Sequence, residues 1–541
     1  MKRMTLDLLI SLDRTSDAAE GLTRQIYAQL RQAMLSGRLR AGDRLPPSRA
    51  LAQELGVARL TVATAYDWLR AEGYVAGRVG AGTFVAPVFE GYAPAERAEV
   101  ESDHASAAAP ATSDSAPASE APRHPPLTAW AERIQRITLM GVGIGGDGGA
   151  GGEFDFRPSV GAADLFPWAR WRRIVAWQDT ADPLAEYRTQ ARESAARAGR
   201  WDALLGPLET RAAIAAWLRR SRAAPCEPDQ LLIASSVQQV LALLARLLVE
   251  PGRRLLVEDP SYIGFHAAFL AEGARLQGVP VDHSGIRVDA LPEALGGVAD
   301  DGAADVARLL IVTPSHQYPT GVTLALERRM ALIEWARRAG VTLVEDDYDG
   351  DLRLEGQPLE ALRGLDERDE VIYLGTFAKA LYPAARLSFA VLPRWLVEPV
   401  ARARAASDRH PAWRDALAIA RFIEAGELER HLARMRRVYR ARRDALVAAL
   451  RAELGDTLRI GPAEAGIHLL ATLPDGIDDV ARVERARAER GLAIAALSPH
   501  YQSQPRPGML LGFGAQNEER LAEGVRRLAP LVRATVADTP R

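Results

Sequence analysis

The sequence predicts a two-part protein: a small, mostly helical α+β unit closed by a hairpin, then a larger α/β unit built on a largely parallel sheet. Three observations predict it. At 541 residues the chain is longer than one hydrophobic core serves. Short apolar, β-branched runs recur through its second part, at Leu231–Ile233, Arg254–Val257, Leu309–Val312, Val341–Val344 and Val371–Leu374. Each is followed by loop residues and then a helical pattern, the alternation that gives parallel strands with ligand groups at their ends. Finally, Leu22–Pro87 reads as helix, connector, helix, glycine turn, helix and glycine-spaced hairpin. The divisions expected are 20–88 for the small unit, 89–152 for a linker and 153–535 for the large unit.

In the small unit, Ile26, Leu30, Ala33 and Met34 recur at helical spacing, which predicts a helix over Leu22–Leu35 stopped at Gly37. Leu39–Ser48 is an extended connector whose prolines forbid helix, and Ser48 is the expected N-cap of Arg49–Leu55. Gly56 turns the chain into a second helix, Ala58–Ala71, with Val62, Ala65, Tyr66 and Leu69 inward. Gly73–Val85 is the hairpin, or wing. Met1–Pro87 holds 12 basic against 8 acidic residues, so this end can approach a polyanion although the formal net charge of the chain is −2. In the linker, Asp103–Pro126 is rich in Ala, Ser and Pro, and Gly141–Gly152 is a glycine tract; both read as tether, with a short helix expected near Trp130–Met140.

The chemistry centres on a lysine. Among 68 basic residues only Lys2 and Lys379 are lysines. A guanidinium holds anions but stays protonated, whereas a desolvated lysine amine can attack an aldehyde. Lys379 follows the apolar run Val371–Leu374, which Gly375 and Thr376 are expected to end, and is flanked by Thr376 and Arg386. An amine between phosphate-holding groups suits a phosphorylated aldehyde, pyridoxal 5′-phosphate. Other strand ends carry matching residues. Ser235, Ser236 and Gln238 open a helix where backbone amides can bind phosphate. Tyr262 can stack on a flat ring, Asp346 can keep a pyridine nitrogen protonated, and Tyr348 can reach a ring hydroxyl.

Two resemblances follow from these residues. Leu39-Arg-Ala-Gly-Asp-Arg-Leu-Pro-Pro-Ser-Arg49, Leu55-Gly-Val57, Thr61-Val-Ala-Thr-Ala-Tyr66 and Leu69-Arg-Ala-Glu-Gly-Tyr74 resemble the winged helix-turn-helix of the GntR family. That resemblance implies Ala58–Ala71 as the recognition helix, with Arg49, Arg59, Thr61, Thr64 and Arg78 on DNA. The large unit resembles fold-type I, aspartate aminotransferase-like enzymes, and the whole chain looks like a MocR-type regulator. This implies Lys379 as the Schiff-base lysine of pyridoxal phosphate, Asp346 on the ring nitrogen, Tyr348 near the ring oxygen and Tyr262 on the ring face. It implies Ser235, Ser236, Gln238, Thr376 and Arg386 around the phosphate, and a homodimer whose two heads read paired half-sites.

There are departures. Val237 and Ser236 stand where a small hydroxyl residue and a glycine are usual. In Gly508–Phe513 the position of a carboxylate-binding arginine is Leu510, with Arg506 out of register, which argues against ordinary amino-acid transamination. His468 can line the site. The alternative to a cofactor-sensing regulator is a working aminotransferase with an accessory DNA-binding head.

A lone cysteine, Cys226, excludes a disulfide framework and a cysteine-rich zinc site, and no metal is expected. The acid-bracketed Leu8–Ile10 is no signal peptide and no long apolar run is present, so a cytoplasmic protein is expected.

Overall fold

Helix α1 (Leu22–Leu35) turns Ile26, Leu30, Ala33 and Met34 inward against α2 (Ser48–Leu55) and α3 (Arg59–Ala71). The computed structural model describes residues 10–13, 21–78, 81–87, 127–137, 152–158, 160–178, 188, 192, 201–293, 306–357, 359–381, 386–409 and 411–537. It divides into two units, Met1–Ala121 and Pro122–Arg541.

In the first unit Gly37 and Gly56 both take positive φ, 70° and 61°, where L side chains are strained. Ser48 is not the cap: Pro47 takes the N-cap position without a side-chain bond and Ser48 is the first helical residue. Proline tolerates that junction because its missing N–H would have been unpaired there anyway. Tyr66 of α3 donates its hydroxyl to the Pro46 carbonyl at 2.9 Å and ties helix to connector. The wing is β1 (Val75–Arg78) against β2 (Gly82–Val85), antiparallel with Val75 opposite Val85. The expected tether at Asp103–Pro126 lies outside the described residues, as does Gly141–Gly152 except for Gly152.

The second unit is organised by an eight-stranded sheet in the order β4 (Leu231–Ala234), β11 (Ser388–Val391), β10 (Ile372–Thr376), β9 (Thr342–Asp347), β8 (Val306–Val312), β5 (Arg254–Asp259), β6 (Arg275–Asp282), β7 (Gly285–Ile286). The pairs β10–β9, β9–β8, β8–β5 and β5–β6 are parallel, while β11 runs antiparallel to both neighbours and β7 folds back on β6. Both faces are covered. Leu231 and Ile233 enter one apolar cluster and Leu232 and Ala234 the other, as Phe389 and Val391 alternate with Ala390. Period-two alternation with both phases apolar is what a sheet between two helical layers requires. Strand β10 runs on through Gly375 and Thr376 instead of ending before them, because β11 pairs with both, as Phe389 and Ser388.

A second, four-stranded antiparallel sheet was not anticipated. Its order is β12 (Arg459–Ile460), β13 (His468–Thr472), β16 (Gly508–Gly512), β15 (Ala495–Ala496). It packs with the long helix Glu427–Leu454 and the terminal helix Glu518–Ala537. Between them in the chain β14 (Leu492–Ala493) pairs with β3 (Phe154–Asp155), which fixes the start of the body. The linker helix forms at Ala129–Arg136, with Thr128 as its cap. Trp130 donates to Glu272 at 3.1 Å and Arg133 to the Ala271 carbonyl at 2.9 Å. Among the described residues no helix is long and apolar enough to cross a membrane. Cys226 is buried, and burial pushes its thiol up to about 11.

Candidate functional site

Strand register brings the chemistry-bearing ends together. Ala234, Ser388 and Thr376 stand side by side across β4, β11 and β10, so Ser235, Ser388 and Thr376 share one edge of the sheet. Ser388 donates to the Thr376 hydroxyl at 2.9 Å, and Thr376 accepts from the Ala378 N–H at 3.2 Å. Above Ser235 the helix Val237–Leu248 begins, its N-cap Ser236 accepting from the Gln239 N–H at 3.2 Å. Gln239 in turn accepts from the Ser235 N–H at 2.8 Å and its hydroxyl at 3.1 Å, and donates to Asp408. The result is a hydroxyl-rich cradle at the positive end of a helix, chemistry that suits a phosphate. The Gln238 side chain donates to the Gly264 carbonyl at 2.9 Å, so its backbone amide is the group it offers an anion. Sequence reasoning missed Gln239 and Ser388; the strand pairing that places Ser388 has no local signature.

Lys379 follows β10 in a turn, its amine 5.2 Å from the centre of the Tyr348 ring. Burial pushes that amine down to about 8, against the opposing pull of Asp349 and then Asp346. Asp346 lies on β9 opposite Leu374 of β10. Burial raises its carboxyl to about 8, Lys379 pulling it back, and its Oδ1 is buried without a hydrogen-bond partner. The neighbouring acids are spent on structure. Glu345 accepts from the Leu362 and Arg363 amides, Glu258 from the Thr313 amide and hydroxyl, and Asp259 from the Gln502 amide. Asp347 binds Arg222 at 2.7 Å.

Tyr262 caps the helix Ile263–Ala271 and packs edge-on to Tyr318, centroids 5.4 Å apart. Tyr348 was expected to offer its hydroxyl to a ring oxygen; here that hydroxyl meets His316 Nδ1 at 2.9 Å, which also lies 2.8 Å from Asp349 Oδ2. His316 and His468 come within 5.1 Å ring to ring. One ring nitrogen each of His316 and His468 and one carboxylate oxygen of Asp349 lie within 4.8 Å of one another. Arg386 has an exposed side chain and a positive φ of 40°, and 382–385 lie outside the described residues. Leu510, fully buried, joins Tyr318, Tyr348, Leu470 and Leu497 in one apolar wall.

The residues present therefore fit pyridoxal phosphate: an unpartnered buried carboxyl for a ring nitrogen, an amine of lowered basicity, and a hydroxyl cradle on a helix N-terminus.

On the first unit, Arg49 near the start of α2 and Arg59 at the start of α3 are exposed, while Thr61 and Thr64 are half-buried. Leu60, beside Arg59, is 75% exposed. Arg78 is placed in β1 by its backbone, and its side chain lies outside the described residues.

Known proteins fit both halves. Residues 178–506 match the family of aminotransferases of class I and II, and residues 22–85 the gntR family of bacterial regulatory proteins. The chain is 33% identical to a probable rhizopine catabolism regulatory protein, MocR, of Rhizobium meliloti, covering 98% of this chain and 99% of the relative. It is 30% identical to the pyridoxine biosynthesis transcriptional regulator PdxR of Corynebacterium glutamicum over 96% and 97% of the two chains. Among solved structures it resembles the α-aminoadipate aminotransferase LysN of Thermus thermophilus, with TM-score 0.62 and 26% identity, covering 76% of this chain and 98% of that one.

Proposed function

Because this chain belongs to the MocR-type regulators, gntR-family heads fused to an aminotransferase class I and II body, we propose that its body holds pyridoxal phosphate through Lys379 and reports an amine effector to the DNA-binding head. The observation that carries the reading is the buried amine of Lys379, just past β10, lowered to about 8 by burial and acted on by the buried carboxyls of Asp349 and Asp346 at the C-terminal end of the neighbouring parallel strand β9. When bound, the cofactor supplies an aldehyde carbon that holds one amine at a time. The protein's part is to keep the Lys379 amine available, to offer Asp346 to the ring nitrogen, and to hold the phosphate at Ser235, Ser236, Thr376 and Ser388. Tyr262 supplies a ring face, and it begins a helix that carries the linker helix through Glu272 and Ala271. A shift of Tyr262 can thus pass along one helix to the tether, a population shift rather than a catalytic cycle. A homodimer would present two heads to paired half-sites.

The test is a DNA mobility assay on the cofactor-loaded protein with and without amines. An amine-dependent change in DNA affinity supports the reading; none with any amine, or sustained turnover of an amino donor with a keto acid, replaces it with the enzymatic alternative.

For the head, Arg49→Ala and Arg59→Ala are each expected to weaken operator binding about tenfold and to lower the salt slope by about 0.9 for each phosphate no longer neutralised. Leu60→Ala should leave the slope unchanged. An exposed leucine at the front of a recognition helix suits a thymine methyl, so its loss should show as relaxed discrimination between thymine and uracil in the same site. Equal salt slopes for all three variants and the parent would remove the arginines from the interface.

A further inference from the structure

We infer that the effector of this body is a primary amine without a carboxylate, carrying hydroxyl or further amino groups that dock on the buried cluster of His316, Asp349 and His468. The inference rests on the reading of Lys379 given above and narrows its ligand.

The charges that act on the Lys379 amine are Asp349 and Asp346, both acids. Tyr348, whose ring centre is 5.2 Å from the amine, belongs to an apolar cluster with Tyr318, Leu470, Leu497 and Leu510. Among the described residues of this cluster a carboxylate would meet leucine and two carboxyls, and a buried anion without a cation is strongly disfavoured.

The cluster asks for the opposite chemistry. His316, Asp349 and His468 are all buried, and His316 Nε2, Asp349 Oδ1 and both ring nitrogens of His468 make no hydrogen bond of good geometry. Burial, then the neighbouring His316 and Lys379, hold the His468 imidazole well below its ordinary range, the Pro319 backbone pulling weakly the other way. His468 is therefore neutral, with one donor and one acceptor. In the tautomer whose Nδ1 carries the only ring proton and donates it to Asp349 Oδ2 across 2.8 Å, Nε2 of His316 presents a lone pair. The set is thus richer in acceptors than in donors. Hydroxyl and amino groups supply donors; a carboxylate supplies none. Buried polar atoms of this kind are matched by a partner in nearly all folded proteins. The Lys379 amine lies 5.2 Å from the centre of the Tyr348 ring, whose hydroxyl meets His316 Nδ1 at 2.9 Å, so the cluster lies where the far end of a short amine would reach.

The experiment uses full-length, cofactor-loaded protein titrated with 3-amino-1-propanol, 1,3-diaminopropane, propylamine and β-alanine, reading the cofactor's visible spectrum. The amino alcohol or the diamine should half-saturate at least tenfold below both propylamine and β-alanine. His468→Leu, which replaces both ring nitrogens with an apolar side chain, should erase that preference, so that the amino alcohol, the diamine and propylamine half-saturate within about twofold of one another. β-Alanine equal to or better than the amino alcohol overturns the inference, as does a preference that survives in His468→Leu. A divalent metal ion bound one to one in the parent and lost in His468→Leu also overturns it, since the cluster would then be a metal site. Wild-type protein that takes up no cofactor at all refutes the proposed function instead, and the two failures are told apart by the spectrum before any amine is added.

Discussion

Lys379→Ala is expected to leave the protein colourless after incubation with pyridoxal phosphate and to abolish the adduct that borohydride traps in the parent. The head is a separate unit with its own apolar core, so operator binding should survive while its response to amines disappears. The argument is one of supply. Lys2 lies in the other unit, and Lys379 is the one lysine of the body; the arginines around it cannot form an imine. The pH dependence adds a sharper form of the same expectation. Only the neutral amine attacks, and burial has moved the Lys379 amine from 10.5 to about 8. Attachment should therefore rise as pH climbs through about 8 and be slow at pH 6. For folding the sign is set by the same shift. Below about 8 the lysine is charged in both states and the cost of burying that charge is fully present. Between about 8 and 10.5 the unfolded chain binds the proton more than the folded one does, so the stability of the cofactor-free protein rises with pH across that window. Asp349 is the stronger of the two opposing charges, so Asp349→Asn should move the attachment midpoint lower. A midpoint near 10.5 in the parent would mean the amine is solvated, and would sink the assignment. Trapping that persists undiminished in Lys379→Ala would do the same.

How much of this was legible depended on how local each feature is. The head could be read nearly residue by residue, because a period of 3.6 and glycines at positive φ leave their marks within a few positions: α1 begins and ends as its apolar spacing predicts. The parallel strands were legible as apolar runs because both faces are buried. Lys379 stood out because the sequence around it is so poor in lysine. The four-stranded sheet was not legible: β12 and β15 have two residues each, too short for a pattern, and β13 pairs with β16 across almost forty intervening positions. Ser388 reaches the phosphate cradle only because β11 inserts antiparallel between β10 and β4, a pairing no local pattern announces. The cluster of His316, Asp349 and His468 is assembled by a loop after β8, a turn after β9 and the start of β13. His468 is legible as a residue able to line the site, but its partners come from segments far apart in the chain.

Arg222 is the plainest case of a residue hidden by its own commonness. It looks like any surface arginine, yet the Arg222 and Asp347 side chains are each only 2% exposed, joined at 2.7 Å through Nε. Arg222 also donates to the Ser315 hydroxyl at 2.7 Å, and Asp347 accepts from the Tyr373 hydroxyl at 2.5 Å. Burial alone would lower the basicity of Arg222; the carboxylate of Asp347, with weaker help from Tyr373, Asp351 and Glu345, more than reverses it. Through these bonds Arg222 ties Asp347, the residue beside Asp346, to Ser315, the residue beside His316. Arg222→Met is expected to cost about 3–5 kcal/mol, because it strands a buried carboxylate rather than because the pair itself is worth that much. With an m-value of about 3 kcal/mol/M the body's urea midpoint should fall by about 1–1.7 M, while the head's transition stays in place. The cause is separable from simple loss of packing by a double-mutant cycle. In Arg222→Met combined with Asp347→Asn the stranded charge is gone, the Tyr373 hydroxyl still has an acceptor, and most of the stability should return. If the two substitutions cost as much together as the sum of each alone, the stranded carboxylate is not the reason, and the pair holds the site by shape alone.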